Sequence, residues 1–312
     1  MTRRVPVQSV KSDPRSCEFL KLWEQMAQLT PRLQEIEFGS AALKRTSPVR
    51  ILLPDGFDGS VALPVLYLLH GGVAAYESDW TGWTDKGAAE SVTAGLPLIV
   101  VMPDAGPAGW YSDWLHDEDN KVGPQKWETY HLAELRPWVE TTFGTRTDRA
   151  GRTIAGLSMG GYGALKYAAR HNELFGFAAA FSGGVDILDD RIGKTTDAAS
   201  VFSGGKKGDV WGRWPDAIPL RRENNPVDLA EKLRDTVLEL RTGNGRLVDD
   251  GEVVDPIEAG VHRGMTTMHN RLVELGIDHV WDDYGAGVHA WPYWSRSLAH
   301  TLPGLMRSTQ TG

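Results

Sequence analysis

A serine flanked by glycines lies between an apolar strand and a helix near the middle of the chain. The segment reads Ile154-Ala155-Gly156-Leu157-Ser158-Met159-Gly160-Gly161-Tyr162 and contains the pattern G-x-S-x-G. A sharp turn from a strand into a helix holds such a serine in a strained conformation with its hydroxyl exposed, and the flanking glycines leave room for that turn. The segment therefore predicts that Ser158 is the nucleophile of a serine hydrolase or acyltransferase.

A serine nucleophile also needs N–H donors that hold the oxyanion it creates. The sequence His70-Gly71-Gly72 follows an apolar run at residues 65–69, well before the serine, where this architecture places its oxyanion loop. We expect the backbone N–H groups of Gly72 and Met159 to form the oxyanion hole. An ordinary turn at residues 70–72 is the alternative interpretation.

His289 is the best candidate for the general base among the nine histidines. It lies in a glycine-containing loop at residues 285–291, directly after a predicted strand at 279–284, and the base of this architecture follows the last core strand. The remaining histidines precede the acid region, lie on predicted helices or begin a strand: His70, His116, His131, His171, His262, His269, His279 and His300.

The acid that would orient the imidazole is left open by the residues alone. The loop after the predicted strand at 237–241 offers five carboxylates: Asp249, Asp250, Glu252, Asp255 and Glu258. Many hydrolases of this fold place an aspartate soon after that strand, which favours Asp249 or Asp250. A glutamate at the head of the following helix would do the same work with a longer reach.

Composition limits the class of protein. The 312 residues are 41% hydrophobic and 24% charged, enough to bury the core of one large α/β domain. A formal net charge of −8 argues against nucleic acid or anionic lipid as the main partner and leaves a small-molecule ester open. Cys17 is the single cysteine, so no internal disulfide forms, and no motif suggests a metal or another cofactor.

No apolar run is long enough for a signal peptide or a membrane span, so the sequence predicts a cytoplasmic protein without a membrane-spanning segment.

Alternating strand and helix patterns predict an α/β fold with a mainly parallel central sheet flanked by helices, the α/β-hydrolase fold. We expect a single domain at residues 32–312, preceded by an N-terminal arm at 1–31 that includes a helix at 17–29. Residues 186–225 have weak periodicity and predict an excursion over the active-site end of the sheet. The predicted strands are 33–38, 49–54, 65–69, 97–103, 152–155, 176–181, 237–241 and 279–284. The predicted helices are 132–142, 162–171, 227–234, 262–275 and 293–302.

Seven blocks in the same chain order resemble the esterase D family, and most of all its mycolyltransferase branch. They are Val100-Val101-Met102-Pro103, Trp110-Tyr111-Ser112-Asp113-Trp114, Lys126-Trp127-Glu128-Thr129-Tyr130, Gly156-Leu157-Ser158-Met159-Gly160-Gly161, Asp209-Val210-Trp211-Gly212, Gly243-Asn244-Gly245 and His289-Ala290-Trp291-Pro292-Tyr293-Trp294. The resemblance runs from about residue 33 to the C-terminal helix.

The resemblance bears on the acid and on the reaction. In that branch the acid is a glutamate that opens the helix after the Gly-Asn-Gly loop, which falls on Glu258 and places it ahead of Asp250. The mycolyltransferases are secreted and carry an arginine in their oxyanion loop, whereas residues 72–77 contain none. Because residues 70–72 read as in the ordinary esterases of the family, the sequence favours hydrolysis.

Tryptophans in the loops beside these motifs predict an aromatic wall for the substrate. The candidates for substrate binding are Trp80, Trp83, Trp110 and Trp291. Aromatic rings suit an acyl chain, an aryl ester or a sugar face, and packing within the scaffold is the alternative role for each of them.

The sequence as a whole predicts a serine esterase that acts on a small or medium acyl ester through an acyl-enzyme, with Ser158, His289 and Glu258 as its triad. An acyltransferase that passes the acyl group to an alcohol or sugar is the first alternative. A non-catalytic binding module on a hydrolase scaffold is the second.

Overall fold

The computed structural model describes residues 27–72 and 77–310. The strands in these parts of the chain are β1 Ala27–Gln28, β2 Leu33–Ser40, β3 Arg45–Leu52, β4 Val65–Leu69, β5 Ile99–Pro103, β6 Arg152–Leu157, β7 Phe177–Phe181, β8 Val237–Thr242 and β9 Val280–Asp283. They form one sheet in the order β1-β2-β3-β5-β4-β6-β7-β8-β9. Strands β4 to β9 pair in parallel, and β1 to β3 add an antiparallel edge, which confirms the predicted mainly parallel sheet.

Helices cover both faces of this sheet. The α-helices are α1 Gly82–Asp85, α2 Ala89–Val92, α3 Trp127–Thr129, α4 Arg136–Phe143, α5 Met159–Arg170, α6 Asp190–Ala199, α7 Ile218–Arg222, α8 Pro226–Leu229, α9 Pro256–Glu274 and α10 Trp291–Ser308. A π-helical segment, Tyr130–Leu135, joins α3 to α4, and 3-10 segments at Ser200–Ser203 and Ala230–Leu233 follow α6 and α8.

Strand β4 is apolar throughout because both of its faces are covered. Val65 and Leu69 point into a core shared with helices α4, α5 and α9, whereas Leu66 and Leu68 point into a second core shared with α1, α2 and α10. All five residues of β4 are buried. A continuous apolar run is what a central parallel strand requires, because successive side chains point to opposite faces.

The order of the strands creates a crevice between β4 and β6. After β4 the chain passes to β5 on one side, and after β6 it passes to β7 on the other side. Ligands of open α/β sheets bind outside the carboxyl ends of the strands at such a switch point. The register sets Leu69 opposite Gly156, so residues 70–72 and Ser158 leave the sheet side by side.

The turn from β6 into α5 demands glycine at two positions. A Cβ added to Gly156 would lie 2.5 Å from the carbonyl of Gly160, and one added to Gly160 would lie 2.4 Å from the carbonyl oxygen of Leu69. Backbone atoms cannot move aside as a flexible side chain can, so helix α5 approaches the end of β4 this closely only where the Cβ is absent.

One local prediction differs from the structure. Ala27–Gln28 at the end of the predicted helix 17–29 forms a strand paired with β2, and the rest of that helix, with Cys17, lies outside the described residues. The excursion at 186–225 contains the helices α6 and α7, although its sequence has only a weak helical period. Helix α6 begins at an N-cap, Asp189, which accepts hydrogen bonds from the backbone of Arg191 and Ile192.

In the parts of the chain that the structure covers, no helix has the length and apolar character needed to cross a membrane.

Substitution of Gly160 by alanine tests the close approach of α5 to β4. We expect Gly160→Ala to lower the free energy of unfolding by about 1–3 kcal/mol, the usual cost of overpacking, as measured by urea unfolding. Gly39→Ala in β2 is the matched control, because nothing lies within 4 Å of its added Cβ. Equal unfolding midpoints for the two variants would contradict this account of the turn.

Candidate active site

Ser158 holds a backbone conformation that is costly for any residue with a side chain. Its φ is 54° and its ψ is −117°. Its N–H donates to the carbonyl of Phe181 at 2.9 Å, and its carbonyl accepts from the N–H groups of Tyr162 and Gly184 at 3.1 and 3.2 Å. Such strain persists only where surrounding bonds impose it, and here they come from β7, the following loop and α5.

His289 connects Ser158 to a buried carboxylate. Its Nε2 lies 2.9 Å from Ser158 Oγ and its Nδ1 lies 2.6 Å from Glu258 Oε2. An ionised carboxylate only accepts hydrogen bonds, so Nδ1–H donates to Glu258 and Nε2 is left to accept from the serine hydroxyl. The three side chains are therefore arranged for removal of the serine proton.

Glu258 is fully buried and its carboxylate is surrounded by donors. Oε1 accepts from Ser182 Oγ at 2.8 Å, from Thr242 Oγ1 at 3.1 Å and from the backbone N–H of Gly243 at 2.8 Å. A buried carboxylate is tolerated only when it is hydrogen-bonded in this way. Its donors follow β7 and end β8, so adjacent strands fix its position.

Asp255 ties the start of helix α9 to the loop that carries His289. Its Oδ1 caps the helix by accepting from the N–H groups of Ile257 and Glu258, and its Oδ2 accepts from the N–H of His289 at 2.7 Å. Burial raises the pKa of the Asp255 carboxyl, but these backbone hydrogen bonds outweigh burial and hold that pKa below its usual value. Asp255 thus positions both Glu258 and His289.

The five carboxylates proposed as the triad acid differ in their contacts with His289. Glu258 contacts the imidazole, and Asp255 contacts its backbone. Asp249, Asp250 and Glu252 are all exposed, and Asp249 accepts a hydrogen bond from the N–H of Ala286.

An apolar cavity of about 300 Å³ opens beside Ser158 and is also lined by Gly72, Met159 and His289. This volume is at the lower end of the range for small-molecule pockets, about 300–1,000 Å³. Helices α6 and α9 form much of its wall. The apolar lining includes Pro107, Ala108, Trp110, Ile192, Ile257 and Val261.

The predicted oxyanion donors lie in the wall of this cavity. Met159 is the first residue of α5, so its N–H has no acceptor within the helix. Gly72 lies across from it, and a Cβ on Gly72 would meet the Met159 side chain at 3.4 Å.

A left-handed turn at Trp110 and Tyr111 supports the oxyanion loop from behind. Trp110 has a φ of 51° and Tyr111 a φ of 45°, although neither is glycine. The Tyr111 hydroxyl donates to the carbonyl of His70 at 2.9 Å, and the N–H of Trp110 contacts Met159 Sδ at 3.3 Å. One strained turn therefore touches both segments that carry the predicted donors.

Lys166 on helix α5 holds this turn from inside the core. Its side chain is fully buried, and Nζ donates to the Tyr111 carbonyl at 2.9 Å, to Ser112 Oγ at 2.8 Å and to Glu128 Oε2 at 2.6 Å. Burial raises the pKa of Glu128, but Lys166, His171 and Arg170 together outweigh burial and keep that pKa far below its usual value.

His70 shapes the oxyanion loop through hydrogen bonds at both of its ring nitrogens. Its Nε2 accepts from the N–H of Ala105 at 2.9 Å, so its Nδ1–H donates to the carbonyl of Gly71 at 2.7 Å. The ring is buried and 3.6 Å from Asp104 Oδ1. The His70 ring thus holds the carbonyl of Gly71, and the assignment of the oxyanion hole to this loop stays a prediction.

Only one of the four predicted substrate tryptophans, Trp110, lines the Ser158 cavity. Trp83 is fully buried, with Nε1–H donating to the Leu69 carbonyl, and a buried ring cannot contact a substrate. Trp291 packs edge-on between Trp83 and Trp294, and Trp294 packs edge-on against His289. The prediction that Trp83 binds substrate is therefore wrong. Trp83 belongs to a row of edge-on rings that ends at the His289 imidazole.

Trp80 borders a different cavity. That cavity is more polar and includes Arg45, Asp104 and Trp127 in its wall, and the Arg50 guanidinium lies 5.2 Å from the Trp80 ring centre.

Sequence reasoning missed Tyr111, Lys166 and the positioning role of Asp255. Asp255 stands immediately before Pro256, and an aspartate before a proline that opens a helix indicates an N-cap. No local pattern could have found Lys166, because its partners lie more than 35 residues away.

The chain matches a family model described as putative esterase over residues 40–305. Esterase Rv1288 of Mycobacterium tuberculosis is 37% identical over 258 residues, which cover 80% of this chain and 54% of that protein. Diacylglycerol acyltransferase/mycolyltransferase Ag85A of the same organism is 32% identical over 261 residues, which cover 80% of this chain and 75% of that protein. The chain thus spans about half the length of the first of these relatives.

Solved structures share the fold at lower identity. MPT51 (FbpC1) of Mycobacterium tuberculosis matches with a TM-score of 0.71 and 22% identity, covering 88% of this chain and 97% of that one. An S-formylglutathione hydrolase from Agrobacterium tumefaciens matches with a TM-score of 0.71 and 17% identity, covering 91% and 98% of the two chains. The predicted α/β-hydrolase fold is confirmed.

Exchange of the buried acid tests its contact with His289. We expect Glu258→Gln to lower kcat for a p-nitrophenyl ester by about 10⁴, because the amide favours the wrong imidazole tautomer. Asp250→Asn is the control, since this exposed carboxylate contributes only weak, screened electrostatics. A large loss of kcat in Asp250→Asn with near-normal kcat in Glu258→Gln would identify Asp250 as the acid of the triad.

Removal of the Tyr111 hydroxyl tests its support of the oxyanion loop. We expect Tyr111→Phe to lower kcat about tenfold with little change in KM, less than the factor of about 10²–10³ that loss of an oxyanion donor itself costs. Tyr167→Phe is the matched control, because its buried hydroxyl bonds His131 Nδ1 at 3.0 Å and does not touch the loop. Equal effects of the two variants on kcat would show that the loss is one of general packing.

Proposed function

The chain belongs to the putative esterase family, as its motifs predicted, and we propose that it hydrolyses carboxylic esters of small or medium acyl groups through an acyl-enzyme on Ser158. The observation that carries this proposal is the continuous hydrogen-bonded chain from Glu258 through His289 to Ser158, which ends at an apolar cavity. An acyl group suits the cavity, and an ester carbonyl suits a serine whose proton has an acceptor in place.

The proposed reaction has two halves. Ser158 Oγ attacks the ester carbonyl while its proton passes to His289 Nε2, and the N–H groups of Gly72 and Met159 hold the resulting oxyanion. The intermediate collapses as His289 returns the proton to the departing alcohol, which leaves the acyl group on Ser158. Water then attacks the acyl-enzyme, gives its proton to His289 and releases the carboxylic acid. Glu258 orients the imidazole in both halves and stabilises it when it is charged.

Acyl transfer to an alcohol is the second candidate function. It differs only in the second half-reaction, where an alcohol or sugar hydroxyl replaces water. The observation in its favour is the 32% identity to a relative named as a diacylglycerol acyltransferase/mycolyltransferase. The absence of arginine from residues 72–77 and the sequence His70-Gly71-Gly72 favour water as the acceptor. A non-catalytic binding module is disfavoured, because such a role does not require the three side chains to be aligned.

The names of the two relatives give an esterase and an acyltransferase and do not narrow the proposed ester to one compound. A small-molecule ester remains the proposed partner, and the cytoplasmic location expected from the sequence stays a prediction.

Loss of the Ser158 hydroxyl tests the proposal directly. We expect the wild-type protein to hydrolyse p-nitrophenyl esters of graded chain length and Ser158→Ala to lose about 10⁶ in kcat, the scale of nucleophile loss in a serine protease. The thermal unfolding midpoint of the variant should stay close to that of the wild type. Wild-type activity in Ser158→Ala, or a wild-type protein that a fluorophosphonate does not label, would overturn the proposal. Products formed with and without added glycerol separate hydrolysis from transfer.

A further inference from the structure

Arg191 is a cation in the wall of an otherwise mainly apolar cavity. It lies on the first turn of helix α6 and lines the same cavity as Ser158 and His289. Its Nη1 donates to the carbonyl of Pro256 at 3.3 Å, which places the guanidinium at the junction between α6 and α9.

No carboxylate neutralises Arg191 among the described residues. Asp190, next to it in the chain, forms an ion pair with Lys194 at 2.6 Å. Asp189 uses one oxygen to cap α6 and has the other 3.7 Å from Arg263 Nη2. Lys194 and Arg263 thus have acidic partners. Within the parts of the chain that the structure covers, the side chain of Arg191 has a single backbone acceptor for its five N–H donors.

A guanidinium with free donors beside an apolar cavity favours an anionic ligand group. Arginine binds carboxylates through paired, charge-assisted hydrogen bonds. Arg191 is exposed, so water partly screens its charge and the expected gain is that of a partly solvated pair. The net charge of the chain, −8, gives no general attraction for anions. Preference for an anionic substrate would therefore have to come from a local cation such as Arg191.

We propose that the ester bound in this cavity carries an anionic group, such as a carboxylate, at the end of its acyl part remote from the ester bond, and that Arg191 binds this group. This inference rests on the proposed hydrolysis at Ser158 and adds the class of substrate, namely monoesters of dicarboxylic acids or acyl esters with an equivalent anion. The apolar wall would bind the methylene chain between the two ends.

The test compares two esters of equal acyl length, monomethyl adipate and methyl hexanoate, with acid release followed in a pH-stat. The measured quantity is the ratio of their kcat/KM values, adipate over hexanoate. We expect Arg191→Gln to lower this ratio about fivefold, the scale of a partly solvated ion pair. Arg191→Glu should lower it further, and Arg191→Lys, which keeps the charge but not the paired donors, should give a ratio between those of wild type and Arg191→Gln. The difference between wild type and Arg191→Gln should shrink at high salt.

Lys194→Gln is the matched control. It removes the same charge from the same helix, but Lys194 is paired with Asp190 and does not line the cavity, so the ratio should keep its wild-type value. The inference is overturned if Arg191→Gln leaves the ratio unchanged, if Lys194→Gln lowers it equally, or if wild type hydrolyses methyl hexanoate but not monomethyl adipate. Failure of the proposed function looks different, because then neither ester is hydrolysed in a Ser158-dependent way.

Discussion

The strained backbone of Ser158 is the constraint on which the rest of the site depends. A φ of 54° with a side chain present costs about 1–3 kcal/mol, and the surrounding fold must supply that energy. It does so through three backbone hydrogen bonds and through the close approach of Gly160 to the end of β4. The strain turns the hydroxyl away from the sheet and towards the crevice between β4 and β6.

The residues that act with Ser158 lie close to it because they stand at the carboxyl ends of neighbouring parallel strands. Ser158 follows β6, the two hydroxyls that bond Glu258 belong to Ser182 after β7 and Thr242 at the end of β8, and His289 follows β9. Because neighbouring parallel strands end at the same edge, each new strand adds one group to one site. The pairing pattern of the sheet therefore determines which residues meet.

Sequence reasoning succeeded where a residue and its neighbours carry the signal. The glycines around Ser158 and the loop around His289 are local patterns, and the structure brings these two residues together. Glu258 could be chosen from five carboxylates only by resemblance, since its contact with the imidazole closes a separation of 31 residues in the chain, which no local pattern reports. Trp83 was misjudged for the same reason, because burial against β4 and α10 is a property of the folded chain and not of its loop.

The ion pair of Lys166 and Glu128 supports the oxyanion loop, and Lys166 is desolvated in that role. Replacing a buried ion pair by apolar residues of similar volume is often neutral or stabilising, so stability alone does not account for a lysine at this position. Apolar side chains could not donate to the carbonyl of Tyr111 or to Ser112 Oγ. Loss of those bonds would weaken the hold on the left-handed turn at Tyr111, whose hydroxyl bonds the carbonyl of His70. Lys166 therefore acts on the oxyanion loop through Tyr111, whose carbonyl accepts from the ammonium and whose hydroxyl donates to the carbonyl of His70.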